Sequence, residues 1–411
     1  MAEPLVLPAN TVEPTVQRPR LLALDGLRLV AALMVVVFHY VSSGVAKYWH
    51  VDSSSPIFPV LHLATGYGWL GVNLFFLISG FVICMSAWGR GLGEFFVSRV
   101  VRLYPAYWVG VILTSAVMIL LPFDRPKPHV RQILINLTML QGGWGVTDVE
   151  AVYWTLWKEI LFYLLFAIVV WRGVTYRRVV TFCALWTTAS VLAAGLKIPI
   201  LDLIVDQEYS MYFIAGAAMY LMYRFGPSWL LFGIVGVNLL FAVYLVDVRL
   251  QALARITGEP LKTSVGMALV VAFFAVILAV ALGWFNWVRW PWLVTAGALT
   301  YPLYLIHAFV GFAIINRLST KMPHYVLLVG LIVTMLVLAY LIHRLVERPL
   351  AKRLRRGLLA GLRQVRANGN PPATPNGHQP PTTSDPSPAP ARKQPTEQPT
   401  GQPTGAVAST T

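Results

Sequence analysis

The residues able to do chemistry in this sequence sit where an apolar chain ordinarily excludes them. Arg28 and His39 lie in one apolar stretch with ten residues between them. Eleven helical steps end roughly 20° past three full turns, so the two side chains share a face, roughly 16 Å apart along the axis. An imidazole at that depth is suited to taking a proton from a hydroxyl, and a guanidinium below it to holding an anion. The alternative is a snorkelling arginine and a hydrogen-bonded core histidine. Asp25, three residues before Arg28, is placed to pair with it.

Arg99 and Arg102 repeat at a spacing of three, which puts two forked guanidinium groups on one helix face. Side by side they suit a phosphate ester or a pyrophosphate; the alternative is ordinary positive charge at a membrane boundary. In the segment Trp154–Tyr163, steps of four bring Thr155, Glu159 and Tyr163 onto one face, with Lys158 turned away. Glu159 is expected at the depth of His39, where it could orient a histidine or serve as an ion-pair partner. Thr300, Tyr304 and His307 form another polar stripe, at steps of four and three, and Pro302 is expected to kink or reshape it. His307 falls about as deep as His39, so the two histidines share a cavity or His307 simply bonds a neighbouring helix. Ser79 and Gly80 interrupt the run Phe75–Phe81 as either a cavity wall or a packing notch. Glu347 lies between Arg344 and Arg348, can pair with either, and could also reach Arg99 or Arg102.

These side chains need long apolar elements to hold them. The chain has 411 residues, 57% hydrophobic and only 12% charged, about half the charged fraction of a soluble domain. Stretches near 22–43, 67–88, 103–122, 151–171, 178–196, 209–223, 228–246, 264–283, 291–315 and 325–346 are candidates to span a bilayer. The expected fold is therefore an all-α polytopic membrane protein of about ten transmembrane helices over residues 21–350. The 209–223 segment is short and contains Gly216. Residues 1–20, with four prolines, read as a flexible cytoplasmic tail, and 351–367 as a basic juxtamembrane segment. Residues 368–411, rich in Pro and Thr, read as a disordered cytoplasmic tail.

The net charge of +15 would favour nucleic acid on a soluble protein. Here the basic residues concentrate in segments such as Arg172–Arg178 and Arg348–Arg356, while the opposite loops mix them with acids. That bias predicts both termini inside and no nucleic-acid partner. Attraction to anionic lipid is a secondary reading. Only Cys84 and Cys183 are present, both within apolar runs, which points away from a disulfide framework or a cysteine metal site.

Taken together, five marks resemble the acyltransferase family 3 membrane proteins. They are Arg28 with His39, the Phe75–Phe81 run, the Arg99/Arg102 pair, the Trp154–Tyr163 segment with Glu159, and the Tyr301–His307 segment. They stand in the family order and cover roughly residues 20–350. The resemblance implies a ten-helix acyltransferase fold in the bacterial cytoplasmic membrane. It implies acyl-CoA as donor, with acetyl the default group, and a hydroxyl, often on a carbohydrate, as acceptor. Surface-polysaccharide sugars and macrolide-type antibiotics are the acceptor classes of similar enzymes. It carries catalysis to His39 and donor binding to Arg99 and Arg102, and no metal is called for.

On this reading the donor phosphates rest on Arg99, Arg102 and Arg28, and the pantetheine arm runs along the first helix. His39 then acts as general base, with Glu159 holding its tautomer. His307, Tyr304 or Ser79 supplies hydrogen bonds to the developing oxyanion. A multi-helix carrier of a small polar or anionic solute is the competing class. It lacks an obvious inverted repeat in the sequence.

Overall fold

The computed structural model describes residues 21–52, 56–196, 199–257 and 261–369. The chain divides into two units, Met1–Arg363 and Gln364–Thr411. The helical bundle is the first. The N-terminal tail and the tail beyond 369 lie outside the described residues.

The long helices follow the apolar runs. They are α1 (Leu22–Val41), α2 (Gly71–Ala87), α3 (Leu92–Leu120), α4 (Trp154–Trp171), α5 (Tyr176–Leu196) and α6 (Ser210–Phe225). Then come α7 (Trp229–Thr257), α8 (Thr263–Ala281), α9 (Trp292–Leu318), α10 (His324–Ile342) and α11 (Arg348–Gly369). Among the described residues there is no strand, and nine helical stretches are long and apolar enough to cross a membrane. The expected 209–223 span is α6, which has 16 residues and is buried at every position from Ser210 to Met222.

Three boundaries differ from the apolar pattern. Helix α3 starts at Leu92, ahead of the apolar stretch that begins near 103, and runs through Pro105, so the helix face carrying Arg99 and Arg102 lies well inside it. Helix α7 continues to Thr257, because its polar end keeps good helix formers after the apolar stripe stops. The basic stretch 351–367 is helical, as is the chain to Gly369. Between α10 and α11 a π-helical turn, His343–Glu347, widens the backbone.

Two close pairings set the frame. Gly80 of α2 lies against the backbone of Phe213 of α6, where an added Cβ would stand 2.8 Å from the Phe213 carbonyl carbon. Gly216 faces α2 in the same way, and Asn73 Nδ2 donates to Tyr212 Oη at 2.9 Å. Small residues thus let these two backbones touch. The second pairing is α1 with α9. Gly311 leaves room for the Tyr40 ring, whose hydroxyl donates to the His307 carbonyl at 2.8 Å.

Candidate active site

Helix α1 presents Arg28 near one end and His39 near the other, as its spacing predicts. Arg28 Nη1 is 3.6 Å from Asp25 Oδ1. His39 is partly buried, and its Nδ1 lies 2.8 Å from the Val35 carbonyl oxygen and 3.2 Å from His307 Nε2. His307 is fully buried, with its own Nδ1 2.9 Å from the Tyr304 carbonyl oxygen. A carbonyl can only accept, so each neutral ring carries its proton on Nδ1. His39 Nδ1–H is then shared between Val35 and the lone pair of His307 Nε2. His39 Nε2 is left unprotonated, with a lone pair available for an incoming proton.

The segment of α9 that carries His307 is braced from outside. Tyr153 Oη donates to the Leu305 carbonyl at 3.1 Å, and Tyr40 Oη to that of His307. The backbone N–H of Phe309 donates to both carboxylate oxygens of Glu150, at 3.0 and 3.2 Å. Glu150 is fully buried and also accepts from the Ala151 N–H at 2.9 Å and Thr114 Oγ1 at 3.2 Å. The sequence pattern misses it, because Glu150 stands outside the apolar runs in an apparently ordinary loop. Its being one of only 17 acidic residues, four positions ahead of the Trp154–Tyr163 segment, was the available hint.

Six of the eight expected site residues line one cavity of about 410 Å³: Arg28, Ser79, Arg99, Arg102, Glu159 and Tyr304. Thr155, Tyr163, Thr300 and Tyr301 complete its polar wall, with Arg90, Ser86 and Ser98 towards the arginine end. Arg99 Nη2 donates to Ser86 Oγ at 2.6 Å, and its guanidinium stacks near Phe95 and Tyr163. It has no carboxylate partner among the described ion pairs. Arg102 differs, since its Nη1 pairs with Glu347 Oε1 at 2.8 Å. Glu347 Oε2 also takes His343 Nδ1 at 2.8 Å, so its described partners are Arg102 and His343, not Arg344 or Arg348.

His39 and His307 stand outside this lining. Tyr304 lies between, its ring 5.7 Å from that of His307. Its hydroxyl is 2.8 Å from Thr155 Oγ1 and donates to the Val152 carbonyl at 3.2 Å. The expected contact of Glu159 with His39 is not formed. Glu159 Oε1 instead accepts from Tyr163 Oη at 2.6 Å and Ser79 Oγ at 3.3 Å. Depth alone matched Glu159 to His39; the rotation of α4 turns the carboxylate into the cavity. Lys158 is likewise tucked against Asp206, at 2.7 Å. Ser79 is a cavity wall and Gly80 the notch, so both readings of that pair hold, each for one residue.

On the far side of His39 the surroundings are aromatic. Its ring lies 6.3 Å from Phe312, which stacks on Tyr48 at 5.1 Å, and Tyr48 meets Phe123 at 5.7 Å. Lys47 and Asp124 clasp the two loops above, and the Lys47 ammonium holds the Asp124 carboxyl below the usual carboxylate range. The bundle therefore places a basic, hydroxyl-rich cavity at one end of α1 and an available imidazole at the other. Such an arrangement can bind a phosphorylated carrier and move a proton at its tip.

The described residues thus form a helical bundle with nine stretches long and apolar enough to cross a membrane and a basic cavity beside α1. Residues 21–344 match the family described as acyltransferase domain, and the chain belongs to that family. It is 28% identical over 191 residues to "Acyltransferase MdmB" of Streptomyces mycarofaciens, covering 44% of this chain and 46% of that protein. It is 28% identical over 174 residues to "Nodulation protein 10" of Rhizobium leguminosarum bv. viciae, covering 36% of this chain and 44% of that protein. The chain thus spans less than half the length of these curated relatives. No solved structure matches it.

Proposed function

We propose that the protein moves an acyl group from an acyl-CoA, acetyl by default, to a hydroxyl of a carbohydrate-containing acceptor in a bacterial cytoplasmic membrane. The observation that carries this reading is the common axis of α1: an arginine-lined cavity begins at Arg28, and an imidazole with an available Nε2 stands at His39. The basic bias of the Arg172–Arg178 and Arg348–Arg356 segments supports a cytoplasmic mouth, with both termini inside.

The donor diphosphate rests on Arg99, Arg28 and Arg102. The pantetheine arm follows the cavity past Ser79 and Glu159 to Tyr304. The acceptor hydroxyl approaches His39 from the aromatic side. His39 Nε2 takes its proton as the oxygen attacks the thioester carbon. The C–O bond forms, the C–S bond breaks, and the coenzyme thiolate recovers the proton from His39. Tyr304 or Ser79 donates to the transient oxyanion, while His307, whose one N–H is held by the Tyr304 carbonyl, positions His39 instead. Glu159 serves inside the donor cavity, orienting Ser79 and Tyr163. The name of the Streptomyces mycarofaciens relative, an acyltransferase, supports acyl transfer, and the resemblance to sugar- and macrolide-modifying enzymes supports the acceptor class.

The test is thiol release by the purified chain from acetyl-CoA with a glycoside acceptor, with mass spectrometry of the product. Release of coenzyme and a matching mass gain on the acceptor support the reading. Solute flux without ester formation would instead indicate a carrier.

A further inference from the structure

A second cavity, of about 460 Å³, adjoins the first. Arg28 and Arg102 line both, so the two chambers share a guanidinium wall. Arg344, Arg348 and His343 reach the second from the π-helical turn and the start of α11. Charge at a membrane boundary needs no cavity, yet here four arginines from three helices and the π-turn converge on one. Two carboxylates answer them: Asp25 beside Arg28 and Glu347 on Arg102. Glu347 also holds His343. Arg344 and Arg348 have no carboxylate partner among the described ion pairs. Among the described ion pairs, four guanidinium groups stand against two carboxylates, an excess of two positive charges.

We propose that this chamber binds the phosphate monoester on the ribose of the donor nucleotide, while the first chamber takes its diphosphate. This rests on the acyl-CoA reading above. The coenzyme carries two separate anionic groups on one ribose, and the structure offers two basic chambers with a common wall. A phosphate monoester approaches two negative charges at neutral pH, which matches the excess in the second chamber. A lipid phosphodiester brings only one. Arg344 and Arg348 are exposed at the rim, where a nucleotide arriving from water meets them first. Paired forks there suit the oxygens of a terminal phosphate.

The experiment compares acetyl-CoA with 3′-dephospho-acetyl-CoA on the purified full-length chain, which requires no variant to fold. Wild type is expected to show a KM roughly ten-fold or more higher for the dephospho donor, with kcat little changed. The pair Arg344→Gln with Arg348→Gln is expected to raise KM for acetyl-CoA by a similar factor and leave the dephospho donor unaffected. Equal KM for both donors in wild type overturns the assignment, as does a variant that weakens both equally. So does a variant defect that depends on vesicles containing phosphatidylglycerol, which would make the occupant a lipid headgroup. No transfer from either donor overturns the acyl-CoA reading itself.

Discussion

His39 and His307 meet nitrogen to nitrogen, 3.2 Å apart, across the contact of the first and ninth long helices. The contact settles which nitrogen of His39 stays available, because His307 presents a lone pair to the protonated one. His307 thereby orients a base without needing to touch the reacting atoms.

Replacing His39 by Ala should lower acyl transfer about 10²- to 10⁴-fold, the usual contribution of a general base. His307→Phe keeps a flat ring, slightly larger, but removes the acceptor for His39 Nδ1–H. It should lower kcat roughly ten-fold with donor KM unchanged. Steady-state kinetics on variants that insert normally check both. If His307→Phe raised donor KM and spared kcat, the positioning role would be lost.

Arg99 has hydroxyl and aromatic neighbours but no described carboxylate, so its charge is available to a donor anion. Arg99→Gln should raise donor KM by about 10- to 150-fold, the value of a charge-assisted hydrogen bond. Arg102→Gln should cost less in binding, because Glu347 already shares that guanidinium, and more in stability, because it strands a buried carboxylate. Isothermal titration with coenzyme A and thermal melting separate the two variants.

Glu150 is expected to act through the backbone. In Glu150→Ala the Phe309 N–H loses its outside acceptor, at a cost of about 1–3 kcal/mol. The segment holding His307 should loosen and kcat fall. Glu150→Gln keeps an oxygen for that N–H and should restore most of kcat. A Gln variant as impaired as the Ala variant would show that the charge matters, not the brace.

Bulk at the α2–α6 contact should be poorly tolerated. Gly80→Leu places a side chain where the Phe213 backbone lies, and overpacking of this kind costs about 1–3 kcal/mol or more. The loss should appear as a lower melting temperature in detergent. An unchanged melting temperature would mean the two helices are not held this closely.

Much of this site was legible because helical periodicity is one-dimensional. The shared face of Arg28 and His39 needs only an unbroken α1, and the stripe Thr155–Glu159–Tyr163 needs only α4. Both appear as the spacing predicts. What periodicity cannot supply is the rotation of one helix against another, and so Glu159 was placed at His39 when it faces Ser79. Nor does it reveal pairs far apart in sequence. The Arg102–Glu347 bridge spans 245 positions and Glu150–Phe309 spans 159. In the latter the partner is a backbone amide, which leaves no trace in side-chain type. Nine described stretches, one fewer than expected, are long and apolar enough to span; the 209–223 segment is a helix, α6, but it meets protein along its length and has little need of a strongly apolar surface.

That last helix bears on how the protein is made. Sixteen residues rise roughly 24 Å, short of the roughly 30 Å of hydrocarbon in a bilayer. Alone in lipid, α6 would leave polar ends in the wrong place. Its docking surface is α2, which has left the ribosome more than a hundred residues earlier. Biogenesis therefore depends on the order of synthesis: the notch at Gly80 is already in the membrane when its occupant arrives.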